Sequence, residues 1–201
     1  MKKGIFITLY GVNNIGKSTQ ARKLVERLKA AGYDSVLLKY PIYDLAPSGP
    51  QLNSILRGES KQTVSEEELQ TLFMENRRAF EPQLKKMLAE GKLVVAEDYT
   101  GTGIAWGTAK GLDQRWVEDL NRDLLREDLA ILLRGKRHLN AKEEQHLHEQ
   151  DDALVEKVDE ILLRLSQKYG WQIVKAEGGI EEVGEDLWKV IHNFLTLPLK
   201  S

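Results

Sequence analysis

Residues 4–18 read GIFITLYGVNNIGKS, and this stretch decides the fold class. Its first seven residues form an apolar run rich in β-branched and aromatic side chains, which predicts a central strand covered on both faces. The next eight residues, GVNNIGKS, fit the pattern G-x-x-x-x-G-K-[ST]. From Ser18 to Ala31 apolar residues recur at helical spacing and Gly32 follows as a stop signal, so the sequence predicts a helix directly after the pattern.

The GVNNIGKS segment has the composition and the setting of a P-loop. Its glycines let backbone N–H groups curl around a phosphate, and the N-terminus of the following helix adds its positive end. In such a loop Lys17 reaches the β- and γ-phosphate oxygens, and the Ser18 hydroxyl is a magnesium ligand. A P-loop predicts a bound nucleotide but not a reaction, because GTPases, motor ATPases and small-molecule kinases share it. The residues expected to bind the nucleotide cofactor are Gly11, Asn13, Asn14, Ile15, Gly16, Lys17, Ser18 and Thr19.

The rest of the chain alternates strand and helix patterns. Further strands are predicted over residues 35–39, 93–96, 129–133 and 172–175, and helices over a long segment from residue 65 and over 113–125, 154–165 and 183–195. Pro82 is expected to kink or split the long helix, and prolines make residues 41–50 a predicted loop. Glycines leave residues 101–111 irregular or loosely helical. These elements predict an α/β fold of the three-layer P-loop NTPase type, with about five parallel strands, in a single domain spanning residues 1–201.

Composition excludes several classes of protein. The 201 residues carry a net charge of −2, so no overall positive field is available to bind nucleic acid or an anionic membrane. No apolar run is long enough to cross a bilayer, and the opening MKK before a strand-like run is not typical of a cleavable signal, so we expect a cytoplasmic protein. The absence of cysteine excludes disulfides and thiol chemistry.

Glu97 and Asp98 come directly after the predicted LVVA strand. Ligands of parallel sheets collect beyond the carboxyl ends of the strands, so both carboxylates are expected to face the same crevice as the P-loop. There they could hold Mg²⁺, directly or through water, or orient an acceptor oxygen; the alternative is a pair of capping or loop carboxylates. The chain has no N-K-x-D segment for reading guanine, which argues against a GTPase.

Four segments together resemble the thymidylate kinase family. FITLYGVNNIGKSTQARKLVERLKAAG is similar to its opening strand, P-loop and first helix, and LQTLFMENRRAF is similar to its L-x-F-x-x-N/D-R segment. EDYTGTGIAW resembles its D-R-Y-x-x-S-x-x-A-Y/F segment, and KAEGGIEEVGEDLWKVI resembles its adenine-side loop and last helix. The resemblance covers nearly the whole chain, in the order and spacing of the family.

The resemblance implies roles for individual residues. Phe73 would stack on a thymine ring, and Arg77, one helical turn on, would bind the edge of that ring; each could instead be a core or surface residue. Trp106 would close off the 2′ side of the ribose, or else be a half-buried surface tryptophan. The substrate-binding set that we predict consists of Pro41, Phe73, Arg77, Tyr99, Thr102 and Trp106, and Glu97 joins Ser18 as a metal ligand.

Three positions depart from the family pattern. Tyr10 replaces the acidic residue before the first P-loop glycine, and Tyr43 stands in the segment where an arginine is expected after Tyr40-Pro41. Asp98 replaces the arginine that would grip the acceptor phosphate, and a carboxylate cannot do that work. Three explanations remain open: a cation bridges Asp98 to the acceptor, other basic residues (Lys39, Arg57 and Arg77) supply the charge, or the acceptor is not a monophosphate.

Residues 134–150 are strongly charged and nearly devoid of apolar side chains, which predicts either a solvated face or a lid. The resemblance implies that such a lid supplies a cation to the transferring phosphate, with Arg137 the chosen catalytic residue among Arg134, Lys136, Arg137 and Lys142. His146 and His148 have a metal-like spacing, but no third ligand is evident and no metal is assigned to them.

The sequence as a whole predicts a magnesium-dependent kinase that transfers the γ-phosphoryl group of ATP to a pyrimidine deoxynucleoside monophosphate, dTMP above all. The predicted catalytic residues are Lys17, Glu97, Asp98 and Arg137. Two alternatives stay open: a deoxynucleoside kinase in which Glu97 is the base for a 5′-hydroxyl, and a nucleotide-binding regulatory protein without transfer activity. The expected partners are small nucleotides and, as is common in the family, a second copy of the chain in a homodimer.

Overall fold

One parallel sheet of five strands forms the centre of the computed structural model, which describes residues 4–57, 64–137 and 152–196. The strands are β1 (Ile5–Tyr10), β2 (Ser35–Lys39), β3 (Leu93–Glu97), β4 (Leu129–Arg134) and β5 (Gln172–Lys175). Their spatial order is β2-β3-β1-β4-β5, so β1 is central, as predicted. Leu9 lies opposite Glu97, and Tyr10 lies opposite Leu132. This register places the carboxyl ends of β1 and β3 side by side.

Helices cover both faces of the sheet. They are α1 (Lys17–Ala30), α2 (Ser48–Arg57), α3 (Glu66–Ala89), α4 (Thr100–Ala109), α5 (Gln114–Asn121), α6 (Asp152–Tyr169) and α7 (Ile180–Thr196). The crossover through α1 runs from β1 towards β2, opposite to those through α3, α4 and α6, so right-handed connections place α1 on the other face. There α1 packs against α7, whereas α4 packs against α3 and α6. The predicted three-layer α/β fold is confirmed.

Two expectations about prolines are corrected in part. The loop predicted over residues 41–50 ends earlier than expected, because residues 48–50 already belong to α2, with Pro50 in its first turn. A first-turn proline costs little because N–H groups there have no intrahelical acceptor, and Leu52 and Leu56 are buried below it. Pro82 does not divide α3, which runs unbroken through it. Burial of Leu84 beyond the proline favours continuation of the helix.

Residues 100–109 form the regular helix α4, where the sequence left an irregular or loosely helical segment over residues 101–111. The glycines of this helix serve close packing: a Cβ on Gly101 would lie 2.5 Å from the Trp171 ring. The next helix, α5, is shorter than predicted and begins after Asp113, whose side chain accepts a hydrogen bond from the Trp116 N–H. Among the described helices, none combines the length and the apolar character that a membrane span requires.

Candidate active site

A cavity of about 550 Å³ opens at the carboxyl ends of the central strands. It is built from the P-loop, the end of β3 and facing surfaces of α3 and α4. Most of the predicted site residues line this one cavity: Asn13, Asn14, Ile15, Gly16, Lys17, Ser18, Thr19, Pro41, Phe73, Arg77, Glu97, Asp98, Thr102 and Trp106. The structure therefore brings together groups that are up to 93 positions apart in the sequence, counted from Asn13 to Trp106.

The P-loop turns through backbone conformations that few residues adopt. Gly11 has a φ of 148°, and a Cβ there would lie 2.7 Å from the Leu133 carbonyl oxygen. Gly16 has a φ of 92° at the start of α1, and Asn14 has a φ of 63°, a region that asparagine tolerates. Gly11 does not line the cavity itself, but it makes the turn that lets the next residues do so.

Lys17 is held inside the P-loop. Its side chain is almost fully buried, and Nζ donates hydrogen bonds to the carbonyl oxygens of Gly11 (2.8 Å) and Val12 (2.9 Å). The same Nζ lies 3.8 Å from Asp98 Oδ1. These contacts fix the ammonium group at the mouth of the loop, where an anionic group can meet it without reorganisation of the chain.

Ser18, Glu97 and Lys39 form a tight cluster beside the loop. Ser18 Oγ donates to Glu97 Oε1 at 2.7 Å, and Lys39 Nζ lies 3.0 Å from Glu97 Oε1 and 3.2 Å from Ser18 Oγ. Burial favours the neutral amine of Lys39 and by itself would lower its pKa. Attraction to the Glu97 carboxylate is the stronger effect, and it raises the pKa of Lys39. The predicted metal ligands Ser18 and Glu97 thus share one point of the cavity, with an ammonium group beside them.

Asp98 occupies a strained and largely buried position. Its φ is 62°, and its side chain is 17% exposed. Oδ1 accepts a hydrogen bond from Thr102 Oγ1 at 2.8 Å and faces Lys17. Burial raises the pKa of Asp98, although Lys17 opposes the effect. Left-handed conformations of residues other than glycine concentrate at functional sites, where the surrounding structure holds them.

The far end of the cavity is lined by Phe73, Arg77 and Trp106. Arg77 lies over the Phe73 ring, with Cζ 5.8 Å from the ring centroid, and its Nη1 donates to Asn121 Oδ1 at 3.1 Å. The guanidinium is almost completely buried, and burial lowers the pKa of Arg77. Trp106 is 6% exposed and forms part of the wall. An aromatic face and a buried cation therefore meet at one point, an arrangement suited to a flat polar ring.

Tyr99 departs from the prediction that it binds substrate. It is completely buried and lies in the core behind the cavity wall, edge-on to Phe6 and tilted against Tyr40. Tyr10, which stands where the family has an acidic residue, also turns away from the crevice. Its hydroxyl donates to Glu127 Oε1 at 2.9 Å, and its ring stacks on Trp171 at 4.2 Å. Neither tyrosine is among the residues that line the cavity.

The predicted lid falls partly outside the described residues. Residues 138–150, which include Lys142, His146 and His148, lie in the undescribed part of the chain. Arg134 belongs to β4 and forms an ion pair with Asp159 at 2.8 Å, which removes it from the predicted lid. Arg137 does reach the P-loop: its Nε donates to the Asn13 carbonyl oxygen at 3.3 Å, and Nη1 pairs with Asp152 at 2.6 Å.

Several lining residues were not predicted from the sequence as substrate contacts. Gln70 lies on the same face of α3 as Phe73 and Arg77, at the helical spacing i, i+3, i+7, so periodicity could have found it. Arg57, named from the sequence as a possible source of charge for the acceptor phosphate, also lines the cavity, with its Cζ 5.0 Å from the ring centroid of Tyr43, which was not predicted. Near the start of α7 the wall comprises Ala176, Gly178, Ile180 and Val183, which lie in the segment that resembles the family's adenine-side loop and last helix.

Comparison with known proteins identifies the family. The thymidylate kinase family matches residues 9–187 of the chain. The chain is 32% identical to the probable thymidylate kinase of Thermococcus onnurineus, over 95% of this chain and 98% of that protein. It is also 32% identical to the thymidylate kinase of Homo sapiens, over 92% and 89% of the two chains. The structure of the thymidylate kinase of Candida albicans superposes with a TM-score of 0.83 at 24% identity, covering 96% of this chain and 93% of that one. The chain thus belongs to the thymidylate kinase family, a family of phosphotransferases.

Proposed function

We propose that this crevice transfers the γ-phosphoryl group of ATP to the phosphate of dTMP, giving ADP and dTDP. The observation that carries the proposal is the single cavity that joins a P-loop lysine, Lys17, to the Phe73–Arg77 pair. One end offers cations and backbone N–H groups for a triphosphate, and the other offers an aromatic face and a buried guanidinium for a base. A cavity with both ends suits a reaction between two nucleotides.

The donor side is the P-loop with the wall near the start of α7 beside it. Lys17 is positioned to neutralise charge that develops on the transferred group, and Arg137 is a candidate for a second cation because it contacts the Asn13 carbonyl oxygen. The lid predicted over residues 134–150 stays a proposal that rests on the family resemblance, since residues 138–150 lie outside the described part of the chain. The wall that begins at Ala176 then receives the adenine ring. No covalent intermediate is required, since positioning and charge neutralisation suffice for phosphoryl transfer.

Ser18 and Glu97 fit a magnesium ion. Their oxygen atoms lie 2.7 Å apart, and a hydroxyl with a carboxylate is the hard donor set that Mg²⁺ prefers. When bound, Mg²⁺ neutralises charge on the phosphate oxygens and orients them. Lys39 contacts both of these oxygens. We propose that a metal bound there would replace the Lys39 ammonium group, which would then be available to the phosphates.

The acceptor phosphate has to be bound without the two arginines that the family pattern places here. Arg77 is buried against Phe73 at the base end, so it is poorly placed for this task. Lys39, whose Nζ lies 3.2 Å from Ser18 Oγ, and Arg57 both line the cavity, and we propose that they supply the positive charge. Asp98 would contribute through a bridging cation or by holding Lys17, since a carboxylate facing a phosphate directly is unfavourable.

Formation of ADP, followed with a coupled assay, tests the proposal. With ATP, Mg²⁺ and dTMP we expect turnover, and with thymidine in place of dTMP we expect little. The rival reaction has one observation in its favour, namely that Asp98 stands where a phosphate-binding arginine is expected. Faster turnover of thymidine than of dTMP would therefore replace the proposal with a deoxynucleoside kinase. Binding of both nucleotides without ADP formation would indicate a regulatory protein.

We further propose that the chain forms one domain, works as a homodimer and acts in the cytoplasm. The single sheet and its two helical layers support the first point for the described residues. The family resemblance supports the second, and sedimentation equilibrium at micromolar concentration tests it directly. A mass near 22.9 kDa would show a monomer instead.

A further inference from the structure

Gln70 is a buried amide with an unused acceptor. The residue lies on α3, is 1% exposed and lines the cavity beside Arg77. Its Nε2 donates to Glu66 Oε1 at 2.9 Å, whereas its Oε1 has no hydrogen-bond partner among the described residues. A buried acceptor without a donor destabilises the fold, so its presence in a native site calls for a partner.

The orientation of this amide is fixed by its neighbour. An ionised carboxylate only accepts hydrogen bonds, so the NH₂ group of Gln70 has to face Glu66 and the carbonyl oxygen has to face the cavity. Glu66 is in turn held by Lys110, whose Nζ lies 2.9 Å from Glu66 Oε2, and both side chains are less than one-fifth exposed. Lys110 and Glu66 are therefore positioning residues for the Gln70 acceptor.

The Gln70 acceptor and the Arg77 donors converge on one point. A Cβ placed on Gly103 would lie 3.0 Å from Gln70 Oε1 and 3.0 Å from Arg77 Nη2, so both groups approach the bare backbone of α4. Arg77 also keeps Nε without a hydrogen-bond partner among the described residues. An acceptor and a donor therefore stand side by side at the base end of the cavity, next to the face of Phe73.

We propose that Gln70 reads the base: its Oε1 accepts the N3–H of a thymine or uracil ring while Arg77 donates to the neighbouring C4 carbonyl oxygen. This inference rests on the proposed function, because it assumes that the acceptor nucleotide occupies this end of the cavity. Cytosine presents the reverse pattern, with an acceptor at N3 and an amino donor at C4. In the cytosine complex, Gln70 Oε1 would face a lone pair and Arg77 an amino group, so both pairs would be mismatched.

The Thr102 hydroxyl is already engaged elsewhere, which supports assigning the base contact to Gln70. Thr102 lines the same cavity, but its Oγ1 donates to Asp98 Oδ1 at 2.8 Å. Its proton is therefore directed away from the base end. The presence of Asp98 and the role of Gln70 are linked in this way. The Asp98 carboxylate engages the Thr102 hydroxyl, and Gln70 on α3 provides a polar group at the base end in its place.

The test compares dTMP, dCMP and N3-methyl-dTMP in the wild-type chain and in two variants of glutamines on α3. Gln70→Met keeps the length of the side chain and removes the acceptor, and Gln83→Met is the matched control because Gln83 is exposed on the same helix. We expect Gln70→Met to lower kcat/KM for dTMP by roughly 10- to 100-fold, the usual cost of leaving a buried N–H without an acceptor. The preference for dTMP over N3-methyl-dTMP should shrink by a similar factor in Gln70→Met and persist in Gln83→Met. An unchanged preference in a folded Gln70→Met protein would overturn the proposal.

Glu66→Gln provides a second variant should Gln70→Met fail to fold. The new amide can donate as well as accept, so the Gln70 amide is free to turn and present its NH₂ group to the base. The preference for dTMP over dCMP should then fall, which loss of packing alone would not produce; a preference equal to that of the wild type would contradict the reading role. Equilibrium binding of the three nucleotides is measured alongside turnover. Selective binding of dTMP without ADP formation would reject the proposed function and leave base reading by Gln70 intact. Turnover of dTMP with no dependence on Gln70 would support the proposed function and reject base reading by Gln70.

Discussion

Asp98→Asn should stabilise the fold while it impairs the reaction. Asparagine has nearly the same shape, tolerates the φ of 62° at least as well, and keeps an Oδ1 that can accept the hydrogen bond from Thr102. The substitution therefore removes one negative charge and little else. Asp98 is thus a position where the effect of charge can be measured apart from that of shape.

The size of the effect follows from two opposed terms. Asp98 Oδ1 lies 3.8 Å from Lys17 Nζ, which corresponds to an attraction of about 4 kcal/mol at an effective dielectric constant of about 20. Because the pKa of Asp98 is raised, the cost of burying the carboxylate, together with repulsion from Glu97, exceeds this attraction. We expect a net gain on the order of 1 kcal/mol for the neutral side chain, because a carboxyl group whose pKa is raised on folding is destabilised in its ionised form. For a chain of this size that gain raises Tm by about 2 to 4 °C.

The pH dependence of that gain identifies its origin. An acid whose pKa is raised on folding loses stability as pH rises from its unfolded-state pKa, near 4, to its folded-state pKa. The advantage of Asp98→Asn should therefore be absent near pH 4, grow with pH, and be constant above the raised pKa. Thermal denaturation at several pH values measures it, with Asp123→Asn as an exposed control. A lower Tm at neutral pH for Asp98→Asn would refute the assignment of the raised pKa to burial.

Steady-state kinetics of the same variant test its role in the crevice. If Asp98 works through a bridging cation, Asp98→Asn should weaken dTMP binding and make activity depend more steeply on Mg²⁺. The comparison variant is Glu97→Gln, which should be the more severe change if Glu97 is the base for a 5′-hydroxyl. Tighter dTMP binding by Asp98→Asn at every Mg²⁺ concentration would show that Asp98 merely repels the acceptor.

Three further substitutions test other parts of the site. Lys17→Ala should lower kcat by on the order of 10²-fold or more while the fold persists, because it deletes a preorganised cation. Near-normal turnover of dTMP by this variant would show that the P-loop lysine is not part of the mechanism. Gly103→Ala should raise KM for dTMP by roughly 10-fold and leave KM for ATP almost unchanged, because the new Cβ would lie about 3 Å from Gln70 and Arg77 at the base end. Initial-rate kinetics measure both constants, and equal effects on the two substrates would contradict this prediction. Arg137→Gln should lower kcat by roughly 10²-fold or more with little change in dTMP affinity measured by calorimetry, and an unchanged kcat would assign the second cation elsewhere.

Sequence rules predicted the sheet better than the helices beside the site. The strands over residues 35–39 and 172–175 match the structure, because alternation and burial act on each residue of a strand locally. The start of α2 at residues 48–50 was missed because prolines were taken as signals for a loop, and the regularity of α4 was underestimated because its glycines were taken as signals for irregular structure. In α4 a glycine allows close packing against a residue that is distant in the sequence. Gly101 accommodates Trp171, which lies 70 positions later, and no local sequence pattern reveals such a contact.

The site was predictable where a motif fixes several residues at once, as in the P-loop, and less so where single residues act. Tyr99 was misplaced because its neighbour Asp98 turns into the crevice at a positive φ while Tyr99 packs back into the core. Gln70 was missed because an amide inside a helix carries no chemical signal of its own, although it shares one face of α3 with Phe73 and Arg77. Its unpaired acceptor next to Arg77 becomes visible only from the positions of α3 and α4 relative to each other.

Charge in the crevice explains how the chain tolerates its departures from the family. At the carboxyl ends of the strands Lys17 faces Asp98 and Lys39 faces Glu97, so two cations and two anions balance in pairs. An extra carboxylate on β1 would add a third anion to this set, and Tyr10, directed towards Glu127, adds none. Under the proposed function, phosphate groups entering the crevice would compete with Asp98 and Glu97 for the two lysines. Each carboxylate displaced in this way would need a new cation, so we expect Mg²⁺ to bind beside Glu97 and the affinity of the acceptor to depend on that of the metal.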